Sequence, residues 1–205
     1  MAVAQCPASC GELIQGWILG SEKLVSCPVE WYSTVEVSYG SALADERPLS
    51  RAMVERLLQH WHYPAQLSQD IRIDVHSTIP IAKGMASSTA DIAATAVATA
   101  HHLGHQLDES TLATLCVSLE PTDSTVFRQL TLFDHNDAST QIACDAQPNL
   151  DLLVLESPQT LRTADYHRIP RQAGLHAGAP ALKRAWEKVQ ESCMTQNPYR
   201  MGEAA

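Results

Sequence analysis

The sequence predicts a mixed fold in which strands come first and helices follow. Three observations predict it. The first forty residues alternate or run apolar in strand fashion, punctuated by Gly11, Gly16 and Gly20. A strand–turn–helix unit occupies 71–103. From Glu109 onward, apolar faces at helical spacing mark further helices around a short hairpin.

Leu24 to Val29 run apolar, and Trp31, Ser33, Val35 and Val37 continue on alternate positions, as a strand requires. Ser50 reads as an N-cap, and Met53, Val54, Leu57, Leu58 and Trp61 predict an amphipathic helix over 51–61. Ile71, Ile73 and Val75 alternate with Arg72, Asp74 and His76, a half-buried strand. An Ala/Thr-rich helix follows from about Ser88 to Leu103, with Gly104 as its stop. Leu112, Leu115, Cys116 and Leu119 share one face of a helix from Glu109 to Leu119. Leu130, Leu132 and Ile142 flank the turn Asp134 to Asp137 and suggest a hairpin. Pro148-Asn149 marks a domain boundary, dividing the chain into 1–148 and 149–205. Beyond it lie a strand (Leu150 to Leu155), an irregular stretch, and a helix from about Pro180 to Cys193. The last residues, from Asn197, read as the first turn of another helix, so the second domain is begun and not finished.

With 205 residues, 45% of them apolar and 18% charged, the chain can bury a full core like an ordinary soluble protein. A net charge of −9 leaves no basic stripe for nucleic acid and repels a free nucleotide at long range. Any phosphate site must therefore rest on local devices: backbone N–H groups, a helix end, a metal ion. The absence of an 18-residue apolar run excludes a spanning helix, and hence a membrane partner, and the start has no basic n-region of a signal peptide. Cys6, Cys10, Cys27, Cys116, Cys144 and Cys193 form no CxxC pair, which favours reduced thiols in a cytoplasmic protein.

Chemistry concentrates in the turn before the Ala-rich helix. Gly84 permits a sharp turn, and Ser87, Ser88 and Thr89 crowd the first helical turn, whose unpaired N–H groups make an anion site. The helix dipole contributes only about 0.3–1 kcal/mol when exposed. Hydroxyl contacts, Lys83 and a metal must add to it. Ala90, Ala93, Ala94, Ala96 and Ala98 let the helix sit close to a sheet. No Gly-Lys-Ser/Thr follows the glycine, so this is not a Walker A loop. The same residues also suit an N-capped core helix that binds nothing.

Glu120 and Asp123 lie at a Pro-broken helix end and can face one cavity, supplying an oxygen ligand for Mg²⁺ and a group that orients a hydroxyl. Solvated capping is the bland alternative. Gly11-Glu12 is a turn beside a carboxylate, which could hold an amino acid's ammonium or lie idle on the surface. His101 and His105 share a helical face without an evident third ligand, and the dipole at a helix end accounts for them. Trp17, Trp31, Trp61 and Trp186 read as core or half-buried packing.

The segment Pro80-x-x-x-Gly84-Met85-Ala86-Ser87-Ser88-Thr89-Ala90 resembles the second motif of the GHMP kinase superfamily, Pro-x-x-x-Gly-Leu-(Gly/Ser)-Ser-Ser-Ala. Met85 and Ala86 depart from it. The resemblance implies that Lys83 to Thr89 wrap the phosphates of ATP and that Ser88 ligates Mg²⁺. Glu120 is similar to the glutamate that completes that metal site, and Asp123 to the base of mevalonate-type members, although their spacing is often longer. Cys6 to Gly16 resembles a shortened first motif in the variant associated with threonine kinases. Ser9, Gly11 and Glu12 would then shape the acceptor side, Ser9 standing where mevalonate-type enzymes carry lysine.

Together the motifs imply an α+β GHMP kinase fold: an amino-terminal ATP-binding α/β domain over 1–148 and an incomplete carboxyl-terminal α+β domain over 149–205. They imply phosphoryl transfer from ATP to L-threonine, giving O-phospho-L-threonine for cobalamin assembly. The family's glycine-rich third motif is not reached, so the chain reads as C-terminally truncated. A homoserine- or mevalonate-type kinase and a non-catalytic nucleotide-binding fragment are the alternative readings.

Overall fold

Alternating burial runs through two long opening strands, β1 (Ala2–Ile18) and β2 (Ser21–Tyr39). In the computed structural model, which describes residues 1–144, 146–155, 158, 160 and 170–205, they pair antiparallel from Ala2↔Val37 to Ile18↔Ser21. Leu19 and Gly20, with φ of 52° and 90°, make the tight turn whose hand suits twisted strands. Bulges interrupt the ladder on β2 opposite Pro7/Ala8, where Glu30 and Trp31 are the extra residues, and on β1 on both sides of Glu12. β2 is the hub: Ser33 to Tyr39 pair with β3 (Ile71–Ser77), and Leu24 meets Phe133 of β4 (Thr131–Phe133). β5 (Gln141–Ala143) completes the expected hairpin with β4.

Three helices cover this sheet. The first, α1 (Pro48–His60), starts ahead of the expected Ser50 cap, because proline at the first position has its φ preset and loses no needed N–H. Ser50 is instead buried inside the helix, its hydroxyl without a partner. In α2 (Ser87–His102), Ala90, Ala93, Ala94, Ala96, Ala98 and Ala100 are buried, and their small size lets the helix lie directly on β1 and β2. Leucine at Ala94 would overpack this contact by about 1–3 kcal/mol. The stop at Gly104 holds: His105 N–H donates to the Ala100 carbonyl at 2.8 Å, closing the last turn. The third helix, α3 (Glu109–Val117), begins where Asp108 accepts from the Thr111 N–H. Val35, Val37, Met53, Leu57, Ile71, Ile73 and Ile92 meet in the core between these layers.

A second apolar cluster joins Ile14, Ile18, Val25 and Leu132 to Leu182, Trp186 and Val189 of α4 (Gln172–Thr195) and Met201 of α5 (Pro198–Ala204). Gly16 allows the approach, since a Cβ there would sit 3.2 Å from a Leu182 methyl. Helix α4 starts eight residues before the expected Pro180, which lies inside it, exposed. Trp17, packed against His176 with ring centroids 4.0 Å apart, and the Arg171–Glu22 ion pair at 2.9 Å anchor the turns that the proline alone would release.

Leu150 to Leu155 do not form the expected strand. No described strand edge pairs with them, and Leu153 and Leu155 are 86% and 84% exposed; apolar residues make a strand only where a ladder receives their backbone groups. Of the stretch read as irregular, positions 156, 157, 159 and 161–169 lie outside the described residues. No described helix is long and apolar enough to cross a membrane. All six cysteines are free thiols, five of them buried. His105 stacks on Trp61 at 4.2 Å and meets the Tyr63 hydroxyl at 3.0 Å, a packing role. Trp186 is buried, whereas Trp31, expected in the packing, is 43% exposed on a bulged part of β2.

Candidate active site

Past β3 the chain enters a loop in which Ala82, Gly84 and Ala86 have φ of 58°, 67° and 56°. Only glycine adopts this region without steric cost, so Ala82 and Ala86 each hold about 1–3 kcal/mol of strain. Backbones passing repeatedly through left-handed residues form concavities that receive anions. Ala86 is the N-cap of α2 and offers no side chain to cap it. Ser87, Ser88 and Thr89 are therefore first-turn residues rather than caps, and the helix's opening N–H groups face the loop without a side-chain acceptor. Met85 is buried, and its carbonyl accepts from the Ser9 N–H at 3.1 Å, which fastens β1 to the loop. Pro80 and Lys83 are half-buried.

The carboxylates arrive from the other side. Pro121 follows α3, and Thr122 N–H donates to the His135 carbonyl at 3.1 Å, setting the direction of the turn. Ser124 and Ser26 then clamp it reciprocally: Ser26 N–H donates to Ser124 Oγ at 2.8 Å and Ser124 N–H to Ser26 Oγ at 3.0 Å. Between these anchors, Asp123 N–H donates to Thr89 Oγ1 at 3.2 Å, and the Thr89 hydroxyl donates to Asp123 Oδ2 at 3.0 Å. The Ser88 hydroxyl faces the Glu120 carboxylate and favours its charged form, and Glu120 Oε1 is buried with no hydrogen-bond partner. Glu12 lies opposite Ser26 in the β1–β2 register; the residue as a whole is exposed, while its carboxyl end faces the charge of Asp123 and is partly withdrawn from water. Ser9 is buried, its hydroxyl donating to the Gly11 carbonyl.

Negative charge is crowded here. Desolvation, then the charge and hydrogen bond of Asp123, push Glu12 up to about 7. Burial also raises Asp123, against the opposing hydrogen bonds of Thr89 and Glu12. It raises Glu120 too, with the charge of Asp123 adding and the Ser88 hydrogen bond opposing. No lysine or arginine is among the groups that shift these three carboxyls.

The structure thus brings together the 83–89 loop, Glu120, Asp123, Ser9 and Glu12, which the sequence singled out separately. Sequence reasoning missed the role of Thr89 as holder of Asp123, the Ser26–Ser124 clamp, and the Glu12–Asp123 pair. No spacing signals them, because Thr89 and Asp123 lie 34 residues apart, Ser26 and Ser124 lie 98 apart, and each pair meets only in the folded chain.

An α+β layer carries a serine-rich loop beside half-buried carboxylates, and solved kinases of small metabolites share its fold. Streptococcus pneumoniae phosphomevalonate kinase, solved with phosphomevalonate and AMPPNP, superposes with a TM-score of 0.68 over all of this chain and 77% of its own. At 12% identity that likeness speaks for the fold alone. Residues 48–127, from α1 to just beyond Asp123, match the GHMP kinases N terminal domain. An L-threonine kinase of Citrobacter freundii is 86% identical over the whole chain, which spans 71% of that protein, and one of Salmonella typhimurium is 75% identical, with 68% spanned. The chain belongs to the GHMP kinase family.

Proposed function

We propose that this protein is an ATP-dependent L-threonine kinase, converting ATP and L-threonine into ADP and O-phospho-L-threonine. The observation that carries the proposal is the meeting of Ser88 with Glu120 and Thr89 with Asp123 at the mouth of the loop, in a chain so similar to proteins of that activity. The 83–89 loop binds the ATP phosphates through its amides and hydroxyls, and Lys83 meets the charge that develops on them. Pro80, Gly84, Met85, Ala86 and Ala90 shape that loop.

The partnerless Oε1 of Glu120 beside Ser88 suits a hard cation, so these two residues would hold Mg²⁺. Among the described residues no cluster of three or more His, Cys, Asp or Glu could hold a metal, as fits an ion bound mainly by substrate phosphates. When bound, Mg²⁺ supplies neutralisation of phosphate charge. Asp123 orients the threonine hydroxyl and accepts its proton, a contribution of about 10²–10⁴-fold. Ser9, Gly11 and Glu12 form the acceptor side. The division at 148/149, a cytoplasmic setting for the free thiols, and the use of the product in cobalamin assembly belong to the same proposal.

The test incubates the intact protein with Mg-ATP and, separately, L-threonine, L-homoserine and mevalonate, reading phosphorylated product by ³¹P NMR. Phosphothreonine as the main product is expected. Preference for another acceptor moves the enzyme elsewhere in the family, and Mg-ATP binding without any product reduces it to a nucleotide-binding protein.

A further inference from the structure

We infer that the Thr89 hydroxyl is a positioning group that aims Asp123 at the acceptor, and that it is not one of the groups holding the nucleotide phosphates. The inference rests on the kinase reading above and withdraws one hydroxyl from the phosphate contacts of the 83–89 loop.

The contact between the two residues is reciprocal. The Thr89 hydroxyl donates to Asp123 Oδ2 at 3.0 Å, and Thr89 Oγ1 accepts from the Asp123 N–H at 3.2 Å. A hydroxyl has one proton to give, so the proton given to Asp123 cannot also reach a phosphate oxygen. Thr89 is only 1% exposed, which keeps water from competing for it. Ser87 and Ser88, half-buried in the same turn, remain for the phosphates and the metal. One side chain thus fixes both the backbone of Asp123 and one of its carboxylate oxygens.

The other anchors of this turn do less. The Thr122 N–H donates to the His135 carbonyl, and Ser124 is clamped to Ser26. Both hold the residues on either side and leave the Asp123 side chain alone. They also keep the main chain in place if Thr89 is replaced, so a variant there loses aim before it loses fold. In the transfer, the acceptor O–H bond breaks and its proton passes to Asp123. A P–O bond to the acceptor oxygen forms, and the bond from the γ-phosphorus to the ADP oxygen breaks. Thr89 exchanges no atom and decides where the proton's receiver stands. It follows Ser87 and Ser88 directly in the first turn of α2, so the phosphate loop and the base are carried on one helix end. A misplacement of about 1 Å between such groups costs about 10²-fold in rate.

The experiment measures kcat, the KM for L-threonine and the KM for Mg-ATP in the intact protein with radiolabelled ATP. It compares wild type with Thr89→Val, Thr89→Ala and Thr89→Ser, and with Thr95→Val as a control on the same helix, whose hydroxyl donates only to the Asp91 carbonyl. Asp123→Asn, alone and combined with each Thr89 variant, completes the set. Thr89→Val and Thr89→Ala should lose about 10–100-fold in kcat with both KM values within about twofold, and Thr89→Ser should recover to within about threefold of wild type. Thr95→Val should stay within about twofold. With Asp123 already replaced, the loss at Thr89 should shrink below about twofold, because no carboxylate is left to aim. A raised Mg-ATP KM at unchanged kcat overturns the inference and returns Thr89 to the phosphates. Equal losses with and without Asp123, or a loss shared by Thr95→Val, overturn it by making Thr89 a support of the helix. Should Thr89→Val not fold, Thr89→Ala decides the same comparisons, since alanine suits the helix. A wild type that makes phosphothreonine beside a fully active Thr89→Val sinks the positioning role alone. A wild type that binds Mg-ATP and makes no phosphothreonine sinks the kinase reading, and this role with it.

Discussion

Carboxylates wholly or partly withdrawn from water occur in two regions of this molecule, and they are treated in opposite ways. Around the frame each has a cation. Asp91 of α2 meets Arg47 at the head of α1 and also receives the Ser33 hydroxyl. Glu46 is gripped by Arg51 and takes the Ile73 N–H, tying the loop before α1 to β3. Asp134 faces Lys23, itself only 1% exposed, and receives the Ser21 hydroxyl and the Asn136 N–H. At the loop before α2, by contrast, Glu12, Asp123 and Glu120 are held by hydroxyls or by each other, and burial raises all three. Charge buried with its partner fixes a fold, whereas charge buried without one costs stability and is retained for what it binds.

The comparison breaks first at Asp134. Removing one member of a buried pair leaves the other charge stranded, so Asp134→Ala should cost about 3–5 kcal/mol in a urea melt. A loss under about 1 kcal/mol would mean that Lys23 finds water, and the frame would no longer differ from the site.

Glu120 should behave in the reverse manner. Glu120→Gln keeps the shape and removes a desolvated charge, so the melting temperature should hold or rise. The kcat should fall by about 10²–10³-fold, far more than threonine KM changes. A destabilised variant with normal turnover would place Glu120 in the frame instead.

The pair at Glu12 gives a smaller, pH-dependent signal. Its carboxyl is raised from an ordinary 4.5 to about 7, so between those values the folded protein holds more proton than the unfolded chain. Stability must then fall as pH rises through that window, and Asp123, also raised, pulls in the same direction. Glu12→Gln removes its share. Because Glu12 is exposed, solvent screens the effect, and the variant should melt about 2–4 °C higher relative to wild type at pH 8 than at pH 4.5. A constant difference across the range would dissolve the carboxyl pair.

These contrasts also explain what could be read from the sequence. Ile71, Ile73 and Val75, the Ala-rich helix and the Asp134 to Asp137 hairpin were legible because burial imposes a period on local sequence. The Leu150 to Leu155 run misled because pairing, not hydropathy, makes a strand, and the start of α4 was missed because distant Trp17 and Glu22 hold it. The loop and Glu120 were visible as motifs. The Ser26–Ser124 clamp was not, since a serine carries no mark of the partner that a β2 register brings to it.

Ser88 sharpens the comparison at its finest point. Its hydroxyl favours the charged form of Glu120, whose Oε1 is buried without a hydrogen-bond partner, so the serine can steady the carboxylate, ligate the ion, or do both. A neutral hydroxyl ligand is the kind that water replaces most readily, and such a contact is worth about 0.5–1 kcal/mol. Ser88→Ala should therefore raise the Mg²⁺ concentration for half-maximal rate by about three- to fivefold, with kcat at saturating Mg²⁺ near normal. If Ser88 only steadied Glu120, the magnesium titration would stay unchanged while the pH at which Glu120 ionises moved upward. That outcome would remove the serine from the metal and leave the carboxylate as its protein ligand on this side.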